Sequence, residues 1–215
     1  GQVGSQADRH GTTSYRYDAR DRLVGVTYPD GAEIAYEYDV AGNRTRLTTS
    51  NQDVRYAFDA LDRLLEVADA TGTTRYSYTP VGSRSQVLFP SGASVEYTYN
   101  VRNRLTNLVH RNGAGLAVLS QVYTLDASGL RTRIQETGHG ATRTVNYQYD
   151  ALKRLTQEQV THSTLGNRTS TWTYDAVGNR LTQTRTKSGT TVVTSYAYDD
   201  NDRLPTETRT GGPGD

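Results

Sequence analysis

"YRYDARDRL", residues 15–23, is the stretch whose reading decides the fold. Close copies return as "YEYDVAGNR" at 36–44, "YAFDALDRL" at 56–64, "YQYDALKRL" at 147–155, "WTYDAVGNR" at 172–180 and "YAYDDNDRL" at 196–204. The fourth residues of nine copies are Asp18, Asp39, Asp59, Thr79, Asn100, Asp126, Asp150, Asp175 and Asp199. Their successive spacings are 21, 20, 20, 21, 26, 24, 25 and 24, so the motif organises nearly the whole chain. The wider spacing after Asn100 implies longer strands or longer loops in the second half.

Between copies lie turn signals such as Pro29-Asp30-Gly31, Thr71-Gly72, Gly138-His139-Gly140 and Ser188-Gly189. The segments between turns, such as "RLVGVTY" (22–28) and "AEIAYEY" (32–38), are β-branched, aromatic and of strand length. No helical stripe with caps is present. Each repeat therefore reads as two strands, about 17 antiparallel strands in all. Strand alternation puts Tyr15 and Tyr17 on one face, and likewise Tyr36/Tyr38, Tyr56/Phe58, Tyr97/Tyr99, Tyr147/Tyr149, Trp172/Tyr174 and Tyr196/Tyr198. The expected fold is all-β: antiparallel hairpin repeats in a curved or spiralling sheet. Residues 12–205 form the repeat domain, with an N-terminal tail over 1–11 and a flexible C-terminal tail over 206–215.

The copies alternate in type. Odd copies carry arginine four residues after the turn residue: Arg22, Arg63, Arg104, Arg154 and Arg203. Even copies carry it after five, as Arg44, Arg84, Arg131 and Arg180, with a glycine two residues before it (Gly42, Gly82, Gly129, Gly178). A one-residue shift flips every following side chain to the other face. The reading is that the longer copies absorb the shift in a left-handed or bulged residue. Positive φ is predicted at or beside those four glycines.

Composition narrows the function. The 215 residues carry 24 basic and 23 acidic side chains, a net charge of +1, which argues against a nucleic-acid binder. Hydrophobic residues are only 34% and mean hydropathy is −0.73, so regular placement of apolar groups must build the core. There are 16 tyrosines, suited to a half-buried sheet. Cysteine is absent, so no disulfide or thiolate metal site is expected. No apolar run reaches the length of a membrane span. With no methionine either, the chain reads as a processed product or an excised fragment.

The aspartates could be paired carboxylates of glycoside hydrolysis, but the same residue in so many copies cannot all be one catalytic centre. Their expected work is to accept backbone N–H bonds at turns. The arginines are expected to pair with repeat aspartates or stack on tyrosines rather than to form a polyanion stripe. Arg22 is read as the cross-repeat partner of Asp18. The tyrosines are a sheet core in the first reading and a sugar-stacking platform in the second. His10, His110, His139 and His162 lack metal-ligand spacing, and no cofactor, metal or catalytic residue is expected.

The nine copies resemble the YD repeat of the RHS/YD-repeat family; "WTYDAVGNRLTQ" and "YEYDVAGNRTRL" are the nearest matches, and the resemblance spans about residues 12–205. The family includes bacterial RHS polymorphic toxins, B and C components of insecticidal toxin complexes, wall-associated proteins and teneurins. The resemblance implies hairpins wound into a hollow shell, in some members around a toxic C-terminal domain, and a secreted or cell-surface location. The family's C-terminal Asp-Pro-x-Gly core motif is missing here, so neither autoproteolysis nor toxin activity is implied. About 17 strands at 4.8 Å spacing give a ring near 30 Å across, about one turn of such a shell. The expected partners are further YD repeats or another copy through sheet edges, an encapsulated effector in the full protein, and, in the second reading, a glycan.

Overall fold

The computed structural model describes residues 2–212. Nineteen strands and, among the described residues, no helix are present. Two compact units divide the chain: Gly1–Val95 with Gly113–Gly115, and Glu96–Asn112 with Leu116–Asp215. The first unit holds β1 (Ser5–Asp8), β2 (Gly11–Tyr17), β3 (Leu23–Thr27), β4 (Glu33–Tyr38), β5 (Arg44–Thr48), β6 (Asp53–Phe58), β7 (Leu64–Asp69), β8 (Gly72–Tyr78) and β9 (Arg84–Leu88). The boundary falls within β10 (Ser94–Tyr99). The second holds β11 (Leu105–Arg111), β12 (Ala117–Leu125), β13 (Arg131–Gly138), β14 (Ala141–Tyr149), β15 (Leu155–His162), β16 (Arg168–Tyr174), β17 (Arg180–Lys187), β18 (Thr190–Ala197) and β19 (Thr206–Thr210). Within each unit every strand pairs antiparallel with the next.

The nine copies account for β2 to β19, two strands each, and with β1 the total is nineteen, two more than the expected 17 or so because both stretches read as tails hold a strand. β1 lies inside the stretch read as an N-terminal tail and pairs with β2, Ser5↔Ser14 to Asp8↔Gly11. β19 lies inside the stretch read as a flexible C-terminal tail and pairs with β18, Ala197↔Thr206 to Val193↔Thr210. "SQAD" and "TETRT" have no apolar pattern to announce them. What selects them is the row of N–H and C=O groups on β2 and β18 that needs partners. Residues 213–215 of that tail lie outside the described residues.

The wider spacing of the second half resides in the strands. β3 to β9 run five to seven residues, β11 to β18 seven to nine. The extension is on the side away from the aspartate turns, whose connections hold five residues each from β2–β3 to β16–β17 and widen to eight (198–205) only at the last.

In the first unit the tyrosine face carries Tyr15↔Val26↔Ile34, Tyr36↔Leu47↔Val54, Tyr56↔Val67↔Thr74 and Tyr76↔Val87 as cross-strand neighbours. Such pairs are the unit of sheet stabilisation. In the second unit the core cluster is Ile134, Val145 and Val160, with Tyr123 and Tyr147 packed on it; Val145 is fully buried.

Candidate functional site

The repeat motif is one local structure. Asp18 Oδ1 accepts N–H bonds from Arg20 (2.9 Å) and Arg22 (3.0 Å), while its own N–H donates to the Arg22 carbonyl (2.9 Å). Asp59 and Asp150 repeat this with Leu61/Arg63 and Leu152/Arg154, and Asp199 with Asn201/Arg203. Asp39, Asp126 and Asp175 hold Gly42/Asn43, Gly129/Leu130 and Gly178/Asn179. In the two copies without aspartate, Asn100 Oδ1 and the Thr79 hydroxyl accept in its place. Donors aimed at the charged form favour it. The Asp18 carboxyl is accordingly lowered, first by the Arg22 N–H, and that of Asp59 first by the Arg63 side chain.

The alternation between copies is not one of length, contrary to the sequence reading. In both kinds the turn residue is followed by a three-residue loop whose third member is left-handed. That member is Gly42 (φ 103°), Gly82 (90°), Gly129 (97°) or Gly178 (110°) in even copies. In odd copies it is Asp21 (63°), Asp62 (58°), Asn103 (57°), Lys153 (65°) or Asp202 (59°). The register is also shared: Tyr17↔Leu23 and Phe58↔Leu64 match Tyr38↔Arg44, Tyr78↔Arg84 and Tyr174↔Arg180. A one-residue register shift follows in both kinds, between Arg16/Tyr17 as between Glu37/Tyr38. The glycine therefore corrects nothing that the odd copies lack. What alternates is which side chains stand at the last loop position and the two beyond it.

That swap divides the arginines into two jobs. In odd copies Arg22 Nε binds Asp18 Oδ2 within its own turn (2.7 Å), so Asp18 is not its cross-repeat partner. Its reach into the next repeat goes to the Asp39 carbonyl (2.9 Å) and the Tyr38 ring (4.7 Å to the centroid). Arg154 does the same with Asp150, the Asp175 carbonyl and Tyr174; Arg63 pairs with Asp59 and stacks on Tyr78. Arg104, facing Asn100, reaches the carbonyls of Asp126 and Ala127. Arg203 closes on Asp199. In even copies the arginine lies on the first ring of its own repeat: Arg44 over Tyr36, Arg84 over Tyr76, Arg131 over Tyr123. Arg44 also lies over Tyr56, and Arg180 over Tyr196. In two of the four even copies the forward link passes to asparagine, with Asn43 Nδ2 on Asp62 Oδ1 and Asn179 Nδ2 on Asp202 Oδ1, both 2.7 Å.

Second rings reach backward. Tyr38, Tyr78, Tyr149, Tyr174 and Tyr198 donate their hydroxyls to the carbonyls of Leu23, Leu64, Arg131, Leu155 and Arg180, each in the preceding repeat. Tyr17 does so to Val3. Phe58 holds the equivalent place without a hydroxyl. Tyr97 and Tyr99 lie on β10, and Tyr147 beside the core of the second unit.

Neither a nucleophile with a base nor a carboxylate pair set apart from the repeat emerges among these residues. No group of three or more His, Asp or Glu that could hold a metal occurs among the described residues. One feature that repeat reading does not single out is a depression of about 480 Å³ on β15–β17, bordered by Glu158, Arg168, Ser170, Trp172, Arg185 and Lys187. Its sequence signal is a switch eight residues after the turn residue, from Val26, Leu47, Val67 and Val87 to Glu158, Gln183 and Glu207.

A family model, the RHS Repeat, matches residues 1–33 and 17–54. No curated protein matches the chain. Among solved structures it is similar to TcdB2-TccC3-TEV, with a TM-score of 0.80 and 15% identity over 95% of this chain and 13% of that one. It is similar also to TcdB2-TccC3 without its hypervariable C-terminal region (TM-score 0.60, 15% identity, 94% and 15% covered). The Photorhabdus luminescens Tc holotoxin pore follows at 0.55, with 16% identity over 92% and 12%. The chain thus spans about an eighth of the length of these solved chains and shares their fold. The RHS Repeat match is confined to residues 1–54, while the all-β fold of antiparallel hairpins runs from β1 to β19.

Proposed function

We propose that this RHS-repeat array is a non-enzymatic structural module: a length of wall in the shell of a larger secreted or surface-delivered bacterial protein that encloses or presents an effector. The observation that carries this is the sameness of the nine turns. Side chains that would do chemistry elsewhere are spent on one loop and on its links to the neighbouring repeats. Arg22, Arg154, Asn43 and Asn179 reach forward while tyrosine hydroxyls reach back. Stability then accumulates repeat by repeat through nearest-neighbour interfaces. The likeness to Tc toxin structures supports the same reading, with further repeats of a parent chain as the partners. The alternative of tyrosines as a sugar platform finds less support, because guanidinium groups lie over many of the rings.

The test is deletion. Removing Asp18 to Phe58 takes out one odd and one even copy and joins Tyr17 to Asp59. The shortened chain should keep its β circular dichroism and melt cooperatively. Global loss of β structure would refute the modular wall. In the full-length parent the same deletion should expose the effector to protease, and unchanged protection would refute enclosure.

A further inference from the structure

The ends of the strands carry an apolar pattern that the sheet itself does not use. Among the described residues, Val40, Leu61, Val81, Val101, Leu152 and Val177 are each at least 68% exposed. Each stands first or second in the three-residue loop of its repeat turn. In five of the six the other of these two positions is apolar as well: Ala41, Ala60, Pro80, Ala151 and Ala176. Turn positions of this kind are ordinarily polar. Exposed apolar groups scattered singly need no explanation, but a row at one structural position does. Hairpin follows hairpin, so within each unit these loops share one rim of the sheet.

The opposite rim is hollow where this one projects. In the first unit His10, Tyr28, Pro29 and Ala32 border a hollow of about 430 Å³ at the β1–β2 and β3–β4 turns. In the second, Val118, Gly138, Gly140, Ala141 and Ser163 border one of about 620 Å³ across the ends of β12 to β15. Tyr28 and Val118 are themselves exposed apolar side chains.

We propose that the two rims dock on one another: the loop tips of one copy of this array seat in the hollows of a second copy. The pitch is shared, because both rims edge the same hairpins and turns recur on each about every 10 Å. Covering the tips strands no charge. Asp39 Oδ1 accepts the Gly42 and Asn43 N–H groups and its Oδ2 the Asn43 side chain; Asp59 is held likewise by Leu61 and Arg63. Carboxylates paired in this way within their own loop can lose water without being left unpartnered. A tip-to-tip contact fits less well, because it sets Leu61 and Val81 against equally projecting side chains and leaves the hollows unfilled. Tip in hollow joins unlike surfaces, so the contact is heterologous and does not close at a dimer. Each rim is a single row of loops, smaller than the roughly 800 Å² per partner of a standard interface, so micromolar association is expected. The inference deepens the wall reading, since lengths of wall meet along their rims.

Sedimentation velocity of the full chain from about 1 to about 500 μM tests it, a range matched to a small interface. The sedimentation coefficient should keep rising with concentration, with no plateau at a dimer. A tip variant (Leu61→Asp, Val81→Asp, Leu152→Asp, Val177→Asp) and a hollow variant (Tyr28→Asp, Val118→Asp) should each associate about tenfold or more weakly, because each buries unpaired carboxylates in an apolar contact. Mixed together, the two should form a one-to-one dimer that grows no further, since one intact tip row and one intact hollow row remain between them. The β circular dichroism of each variant should match that of the parent, and serine at the same six positions supplies a milder second set. A chain that stays monomeric, growth that stops at a dimer, or a mixture that fails to associate would overturn the proposal. So would undiminished association of either variant, which would point instead to pairing through the edges of β1 and β19. The deletion test of the wall reads the folding of a single chain and this one reads association, so the two readings fail separately.

Discussion

The first four copies and the last three solve the same packing problem differently. In the first four, the partner of the leading ring is apolar: Val26 opposite Tyr15, Leu47 opposite Tyr36, Val67 opposite Tyr56, Val87 opposite Tyr76. In the last three it is polar: Glu158 opposite Tyr147, Gln183 opposite Trp172, Glu207 opposite Tyr196. The second unit recovers apolar contact by lengthening its strands, which places Val145 and Val160 two residues further from the aspartate turns. The turns stay constant while the layer above them varies. One part of the repeat specifies the hairpin, and the rest is free to be core or surface.

This contrast can be broken by substitution, and the largest effect falls where the core is displaced. Val145→Ala should lower the unfolding free energy by about 2 kcal/mol, as large-to-small changes at a closed site do. Leu47→Ala, at a half-buried position, should cost less; urea titration of both checks the order, and the reverse order would make the first unit the denser core. At the constant turns the effects should be similar in either unit. Gly42→Ala and Gly178→Ala each put a Cβ on a left-handed residue and should cost about 1 kcal/mol. Tyr38→Phe and Tyr174→Phe each leave a carbonyl without its hydroxyl donor, for about 1 kcal/mol, followed by thermal melts. Unequal costs between the members of either pair would show that the units do not share one turn. A smaller gain comes from Lys153→Gly, which relieves a left-handed lysine (φ 65°) and should stabilise by about 0.5 kcal/mol.

Acid should act on both units alike. The carboxyls of Asp18, Asp59, Asp150 and Asp199 lie below their ordinary 3.8, first through the Arg22 N–H at Asp18 and the Arg63 side chain at Asp59. At Asp150 burial is the largest influence and opposes the shift, but the Arg154 contacts outweigh it. Folded carboxyls below the unfolded value stabilise above it, and that contribution disappears as pH falls through the folded value. Asp53, held by Arg46, is lowered to about 2, so loss should run from about pH 4 down towards 2. Hydrogen exchange resolved by unit would detect a difference; acid loss confined to one unit would contradict the common turn.

The all-β architecture was legible because the motif prints its own period, and Tyr-x-Tyr-Asp encodes both a strand face and its turn. The nature of the alternation was not. Counting from Asp18 to Arg22 and from Asp39 to Arg44 suggests two lengths, because the eye follows arginine. The backbone instead aligns Leu23 with Arg44, and only pairing partners reveal it. The end strands β1 and β19 were hidden for another reason: edge pairing needs main-chain groups, which every sequence has. The Trp172 hollow left a trace in the change from valine to glutamate and glutamine, but strand register is needed to bring Arg185 beside Ser170.

The tyrosine hydroxyls run one way. Tyr38 uses the carbonyl of Leu23, and Tyr174 that of Leu155, so the acceptor always precedes the donor in the chain. On a ribosome, each repeat emerges to find the group it must bind already laid down. The array can therefore grow in the order of its synthesis, every hairpin templated by the one before it, with no need to wait for the C-terminus.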